Sequence, residues 1–261
     1  MITLHTIASG SEGNCLLVSA GGTHILLDAG ISCRRINEAL AALDLSLRDV
    51  AAVCITHEHT DHVYGLQTML RRYEMPICTG PATARRLEYR YAGISPRLRA
   101  VEGPFTVGGV RVTPFSTSHD VAGGLDYRFD YEDAALGVLT DTGFVTDEAR
   151  EALKGVDLMV LESNHDVERL IAGPYPYPLK RRILGNKGHL SNEMAAEFAA
   201  ELARCGTRQF VLAHLSRENN TPALALEAVQ RAVTPFGAFV TVAPRGELSA
   251  PYAAEGNRCR K

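Results

Sequence analysis

The segment His57-Glu58-His59-Thr60-Asp61-His62 places four candidate metal ligands, His57, His59, Asp61 and His62, within six residues. Imidazole and carboxylate donors packed this closely suit a catalytic site for a zinc-like or manganese-like ion, and can serve more than one ion. Three of the chain's nine histidines fall here, which makes an ordinary solvated loop a poor explanation. The apolar run Ala51-Ala52-Val53-Cys54-Ile55 precedes the cluster and reads as a short buried strand, so the ligands fall on the loop where that strand ends. Extended spacing puts His57, His59 and Asp61 on one side, and a turn is needed to bring His62 beside Asp61.

Further donors follow strand-like runs elsewhere. His119 comes after Val110–Phe115, Asp141 after Ala134–Leu139, His214 after Phe210–Ala213, and Asp28 after Ile25-Leu26-Leu27. Strand ends are where α/β architectures collect their chemistry. Taken singly, each residue fits a turn. Taken in order with the histidine cluster, they resemble the metallo-β-lactamase superfamily over nearly the whole chain. That resemblance implies one ion on His57, His59 and His119, a second on Asp61, His62 and His214, and Asp141 bridging them. It gives Asp28 a supporting role, hydrogen-bonded to the histidine loop rather than bound to metal.

The elements that must position these residues alternate in type. Strands are expected near 2–7, 15–20, 24–28, 51–55, 76–79, 110–115, 125–131, 135–139, 157–161, 209–213 and 237–242. Helices are expected near 33–43, 64–73, 81–91, 146–153, 191–204 and 221–233. Ser191 reads as the N-cap of its helix and Pro222 as a first helical residue. Strand-rich blocks interleaved with helices fit two sheets between helical layers, the α/β four-layer αββα sandwich that the resemblance implies, formed as one domain over 1–261.

Composition agrees. Thirty acidic against twenty-seven basic residues give a net charge of −3, which excludes a globally basic nucleic-acid binder. Six cysteines without a CxxC pair argue against a zinc ribbon or redox dithiol. The N-terminus enters strand-like sequence at once, without the pattern of a signal peptide, and no apolar run approaches membrane-spanning length. A cytoplasmic protein is expected.

For the reaction, two ions about 3.5–4 Å apart can bind one phosphodiester, supply a hydroxide nucleophile and stabilise the leaving oxygen. The same pair could attack a lactam, thioester or lactone carbonyl. Asp141, a hard carboxylate, leans toward oxygen-rich substrates. Glu162 ends the strand-like Leu158–Leu161, and His189 lies in Gly188-His189-Leu190-Ser191. This resembles the pairing in the superfamily's tRNA-processing nucleases, which implies that His189 protonates the leaving group while Glu162 orients it or raises its pKa. Lys180-Arg181-Arg182 and Lys187 lie between the two. Arg217, Asn219 and Asn220 follow His214 directly, and their guanidinium and amide donors suit phosphate oxygens. Each basic residue is equally at home as solvated surface, and Asn-Asn as a turn.

Ala8-Ser9-Gly10-Ser11-Glu12-Gly13-Asn14-Cys15, Glu162-Ser163-Asn164-His165-Asp166, Gly188-His189-Leu190-Ser191-Asn192 and His214-Leu215-Ser216-Arg217-Glu218-Asn219-Asn220 together resemble the YycJ/WalJ-type subfamily. That implies a bacterial 5′-to-3′ DNA exonuclease carrying two divalent ions, zinc or manganese, with Asp61, His189 and Glu162 catalytic. Ser11 and Asn14 join Lys187, Arg217, Asn219 and Asn220 as expected substrate contacts. His165 either contacts the scissile phosphate or helps orient His189, or it stabilises the Asn164–Asp166 turn. Tyr175 and Tyr177 either stack on bases or stiffen a surface loop. Only 72 residues separate Asp141 from His214, too few for the inserted domain of the superfamily's larger nucleases. A bound polymer then lies across this domain or across a dimer partner. A small-molecule phosphodiesterase and a non-catalytic binding module are the rival readings, the latter disfavoured by the complete ligand set.

Overall fold

A computed structural model describes residues 1–256. Residues 257–261 lie outside the described residues. Fourteen strands are described: β1 (Ile2–Ala8), β2 (Cys15–Ala20), β3 (Thr23–Leu27), β4 (Val50–Cys54), β5 (Ile77–Thr79), β6 (Leu98–Ala100), β7 (Phe105–Val107), β8 (Val110–Ser116), β9 (Leu125–Tyr131), β10 (Ala134–Leu139), β11 (Leu158–Glu162), β12 (Gln209–Ala213), β13 (Phe239–Val242) and β14 (Tyr252–Ala254). They form two seven-stranded sheets, ordered β14-β1-β2-β3-β4-β5-β6 and β13-β12-β11-β10-β9-β8-β7.

Alternation along the strands builds three apolar layers. Ile25 and Leu27 of β3, with Leu136 and Val138 of β10, pack between the sheets, together with Tyr127 and Phe129. Leu26 points the other way, into a core shared with Ile36 and Leu40 of helix Cys33–Ala41, Leu66 and Leu87. Leu139 joins Phe198 and Leu202 of helix Asn192–Arg204 and Val229 of helix Pro222–Val233 on the outside of the second sheet. Helix, sheet, sheet, helix is therefore the layering, as expected. No helix among the described residues is long and apolar enough to cross a membrane.

Each sheet has a parallel half, β3 to β6 in one and β10 to β13 in the other. Asp28, the His57 loop, Asp141, Glu162 and His214 all stand at the C-terminal ends of these parallel strands. The helix expected at 64–73 is two helices, Thr60–Val63 and Leu66–Arg72. The break falls at Gly65, where a Cβ would come within 2.5 Å of the Ile31 carbonyl oxygen. Of the two tyrosines in the proline-tyrosine segment, Tyr175 lies between helix Val167–Ala172 and helix Tyr177–Leu184, and Tyr177 opens the second.

Candidate metal centre

The histidine loop is held from beneath by Asp28. Its carboxylate accepts the Thr56 backbone N–H at 2.9 Å, the Thr56 hydroxyl at 2.9 Å and His62 Nδ1–H at 2.7 Å. The Thr56 hydroxyl also lies 3.0 Å from His57 Nδ1. The one-turn helix Thr60–Val63 supplies the reversal that brings His62 back beside His57, their ring centroids 4.0 Å apart. A Cβ at Gly30 would stand 1.6 Å from the Asp61 carbonyl oxygen, so only glycine lets the chain pass under that turn.

The other donors are fixed in the same manner. His119 Nδ1–H donates to the Gly188 carbonyl at 3.2 Å. His214 Nδ1 lies 3.0 Å from Glu162, and its backbone N–H donates to the Ser9 hydroxyl at 2.9 Å. Each Nδ1 is thus committed to a neighbour, which turns Nε2 inward. His57 Nε2 and His214 Nε2 are buried without a hydrogen-bond partner. Ligand atoms of His57, His59 and His119 lie within 4.8 Å of one another, as do those of Asp61, His62 and His214, and those of His57, His62 and Asp141. Orphaned inward nitrogens beside carboxylates are the donor set that a divalent ion satisfies. The residues fit the group.

Asp28, Asp141 and His214 all take left-handed backbone conformations, with φ of 62°, 49° and 55°. Non-glycine residues hold such angles at a cost of about 1–3 kcal/mol, sustained here by the surrounding hydrogen bonds. Asp126, fully buried on β9, accepts the Thr140 N–H at 2.6 Å and so steers the turn that presents Asp141. The Asn164 amide donates to the His214 carbonyl at 2.9 Å. Sequence reasoning missed Thr56, Asp126, Asn164 and Ser9 as positioning residues. Ser9 and Asn164 stand in motifs quoted above without a positioning role, and Thr56 and Asp126 are marked only by their nearness to a ligand or a strand end.

Charges here are strongly coupled. Burial alone would lower the His214 imidazole, but Asp141 and the Glu162 contact outweigh it and hold it up to about 9. Burial works to raise Glu162, yet His189 and His214 bring it down to about 2. His189 Nδ1 sits 2.7 Å from Glu162 Oε1 and 3.6 Å from Asp141, and Glu162 and Asp141 hold its pKa above the ordinary value against burial. Two backbone N–H groups, of Thr142 and Leu190, complete the Glu162 carboxylate at 3.1 and 3.2 Å. An imidazole carrying a proton at the edge of the centre is placed for general-acid work.

The expected substrate contacts divide. Ser11, Lys187 and Arg217 are exposed near the site, Arg217 paired with Glu12 at 3.1 Å. Asn219 and Asn220 are buried. The Asn220 amide donates to the Ser163 carbonyl and to Asn192, and Asn219 lies against Ser216, so this placement does not fit phosphate donors. Asn14 is likewise buried, its amide 3.1 Å from His62 Nε2 and its oxygen accepting the Gly10 N–H. It locks the Ser9–Asn14 loop to the centre instead of facing solvent. Lys180 donates to the Ile171 and Gly173 carbonyls, and Arg182 pairs with Asp120. His165 is buried with both ring nitrogens unpartnered, while backbone bonds hold its turn, among them Asn192 N–H to the His165 carbonyl.

Fold and site together define a metal-binding α/β sandwich. The family model described as "Beta-lactamase superfamily domain" matches residues 23–215, and the chain belongs to that superfamily. Within it, the chain falls with the YycJ/WalJ group. It is 37% identical over 234 residues to "Exodeoxyribonuclease YycJ" of Bacillus anthracis, covering 88% of this chain and 89% of that protein. It is 36% identical over 224 residues to "Exodeoxyribonuclease WalJ" of Streptococcus pneumoniae, covering 84% and 83%. The crystal structure of the metallo-beta-lactamase fold protein YhfI of Bacillus subtilis superposes with a TM-score of 0.72 over 95% of this chain and 98% of that one, at 17% identity, a likeness of fold alone.

Proposed function

We propose that this protein is a metal-dependent phosphodiester hydrolase that trims DNA from a 5′ end. One observation carries the reading: donor atoms of His57 and His62 converge with those of Asp141, and His189, seated on Glu162, stands 3.6 Å from that same Asp141 carboxylate. The names of the relatives, exodeoxyribonucleases at 37% and 36% identity, support DNA as the polymer. Polarity rests on subfamily resemblance.

We assign His57, His59 and His119 to one divalent ion and Asp61, His62 and His214 to a second, with Asp141 between, the metals being zinc or manganese. Bound ions supply an activated water and offset charge on the phosphoryl oxygens. His189 then gives its proton to the departing oxygen, while Glu162 keeps the imidazole oriented. Lys187 and Arg217 hold backbone phosphates, which positions the strand without reading its sequence. Arg217 must exchange Glu12 for a phosphate. An exposed ion pair is worth only about 0–1 kcal/mol, so the exchange is cheap. We place the whole chain, 1–261, in one catalytic domain working in the cytoplasm. Among the described residues Cys15, Cys33, Cys54 and Cys78 are free thiols, which suits a reducing compartment.

End-labelled DNA and RNA, incubated with zinc or manganese and then with a chelator, test this. Metal-dependent release of nucleotides from the 5′ end of DNA is expected, with Asp61→Ala near background. Cleavage of a small cyclic phosphodiester, with DNA untouched under both metals, would promote the small-molecule rival. Release from the 3′ end would overturn polarity only.

A further inference from the structure

A cavity of about 420 Å3 opens directly beside Asp61, within the size range of small-ligand sites (about 300–1,000 Å3). His189 is not among the residues that line it. His189 approaches one oxygen of Asp141 at 3.6 Å, the other Asp141 oxygen lies 3.2 Å from His62 Nε2, and Asp61 stands beyond, 3.7 Å from the same nitrogen. Hydroxyls of Ser11, Ser32 and Thr60 line the cavity with Arg35, and Tyr64 forms one wall. Tyr64 is 61% exposed, so its ring offers an aromatic surface to the opening two residues after His62.

The chemistry of the proposed reaction says what this flank must hold. Hydroxide forms a new bond to phosphorus, the bond to the leaving nucleoside's oxygen breaks, and the His189 proton goes to that oxygen. The leaving nucleoside therefore departs on the His189 side. The nucleoside that keeps the phosphate has to extend elsewhere. We infer that the cavity beside Asp61 holds the sugar and base of the nucleotide that keeps the scissile phosphate, with the base stacked on Tyr64. Stacking on an aromatic ring accepts any base, which suits an enzyme that must advance along arbitrary sequence. Glu12 and Arg35 both line the cavity, so a carboxylate and a guanidinium stand at its wall together. This inference rests on the phosphodiesterase reading above.

The test uses the metal-loaded full chain and a DNA strand with 2-aminopurine in its second nucleotide and a phosphorothioate at the first linkage to slow cleavage. Binding should quench the 2-aminopurine fluorescence in wild type and in Tyr64→Phe, but not in Tyr64→Ala. With the fluorophore in the first nucleotide, Tyr64→Ala should make no difference. In parallel, Tyr64→Ala should raise KM for DNA roughly tenfold or more, with a much smaller change on methyl p-nitrophenyl phosphate, whose retained methyl group has no ring to stack on Tyr64. Quenching that survives Tyr64→Ala, or equal losses on both substrates, overturns the subsite. DNA cleavage with Tyr64-independent quenching removes the subsite and spares the exonuclease reading. Tyr64-dependent quenching without cleavage removes that reading and overturns the assignment to the phosphate-retaining nucleotide, leaving only a base-stacking surface. No binding of DNA at all removes both.

Discussion

Asp28 and Glu162 are buried carboxylates at the ends of parallel strands, one in each sheet, and each holds the Nδ1 of an imidazole whose Nε2 faces the metal centre. Among the described residues the Asp28 carboxylate has partners only on the segment after β4, namely Thr56 and His62. Glu162 gathers three segments: Thr142 after β10, His189 with Leu190, and His214 after β12. A carboxylate with one imidazole can place a ligand and no more. A carboxylate with two imidazoles also links them, so that the charge on the candidate acid is felt by the candidate ligand. The first sheet thus contributes a rigid ligand platform, and the second joins ligand placement to proton delivery.

The sharpest way to break this contrast is Glu162→Gln. Turnover at saturating metal should fall by about 10²–10⁴-fold, the range of a lost general acid. Metal affinity should also weaken, because His214 loses its orienting partner. His189→Ala should match the turnover loss while keeping metal content, measured by elemental analysis. Loss of bound metal in His189→Ala would make it a ligand and erase the division between the two residues.

Asp28→Asn should have the smaller consequence. Removing an orienting partner costs about 10–100-fold in metal affinity, and turnover should recover most of the way when metal is raised. If turnover stays as low as in Glu162→Gln at saturating metal, the first sheet does more than place ligands.

How much of this contrast the sequence disclosed follows from the range of the interactions. His57, His59, Asp61 and His62 are legible because their donors are adjacent in the chain. His119, Asp141 and His214 are legible because each ends an apolar run that forms a strand. Asp126 and Asn164 are not, since their partners, the Thr140 N–H and the His214 carbonyl, become neighbours only through sheet pairing. Asn219 and Asn220 read as phosphate donors because amides beside a ligand look available, and burial against Ser216, Ser163 and Asn192 was invisible. Helix Tyr177–Leu184 buries no residue fully, and the proline in its first turn reads as a loop although a helix start tolerates it. The layered fold was legible because the three cores draw on alternating strand faces and helix stripes present in the sequence itself.

The smallest expected effect separates the two carboxylates by pH in chelator-stripped protein. His214 is held up to about 9 from an ordinary value of 6.5, chiefly by Asp141 and Glu162 acting against burial. Folded protein then holds this proton more tightly than unfolded protein does. The resulting stability is complete below pH 6.5 and is lost as pH rises through about 9. His62 and His189, also raised, act in the same direction. His57, His119 and His165 are lowered by burial first of all, so they are neutral in both states above pH 6.5 and drop out of this window. The melting temperature should therefore fall by several degrees between pH 6.5 and 9.5, at about 2–4 °C per kcal/mol for a domain of this size. Glu162→Gln should flatten that fall more than Asp28→Asn does, because its carboxylate supports two of the three raised imidazoles. Equal flattening by both variants would mean that Asp141, the anion common to all three, sets the proton affinity of the centre.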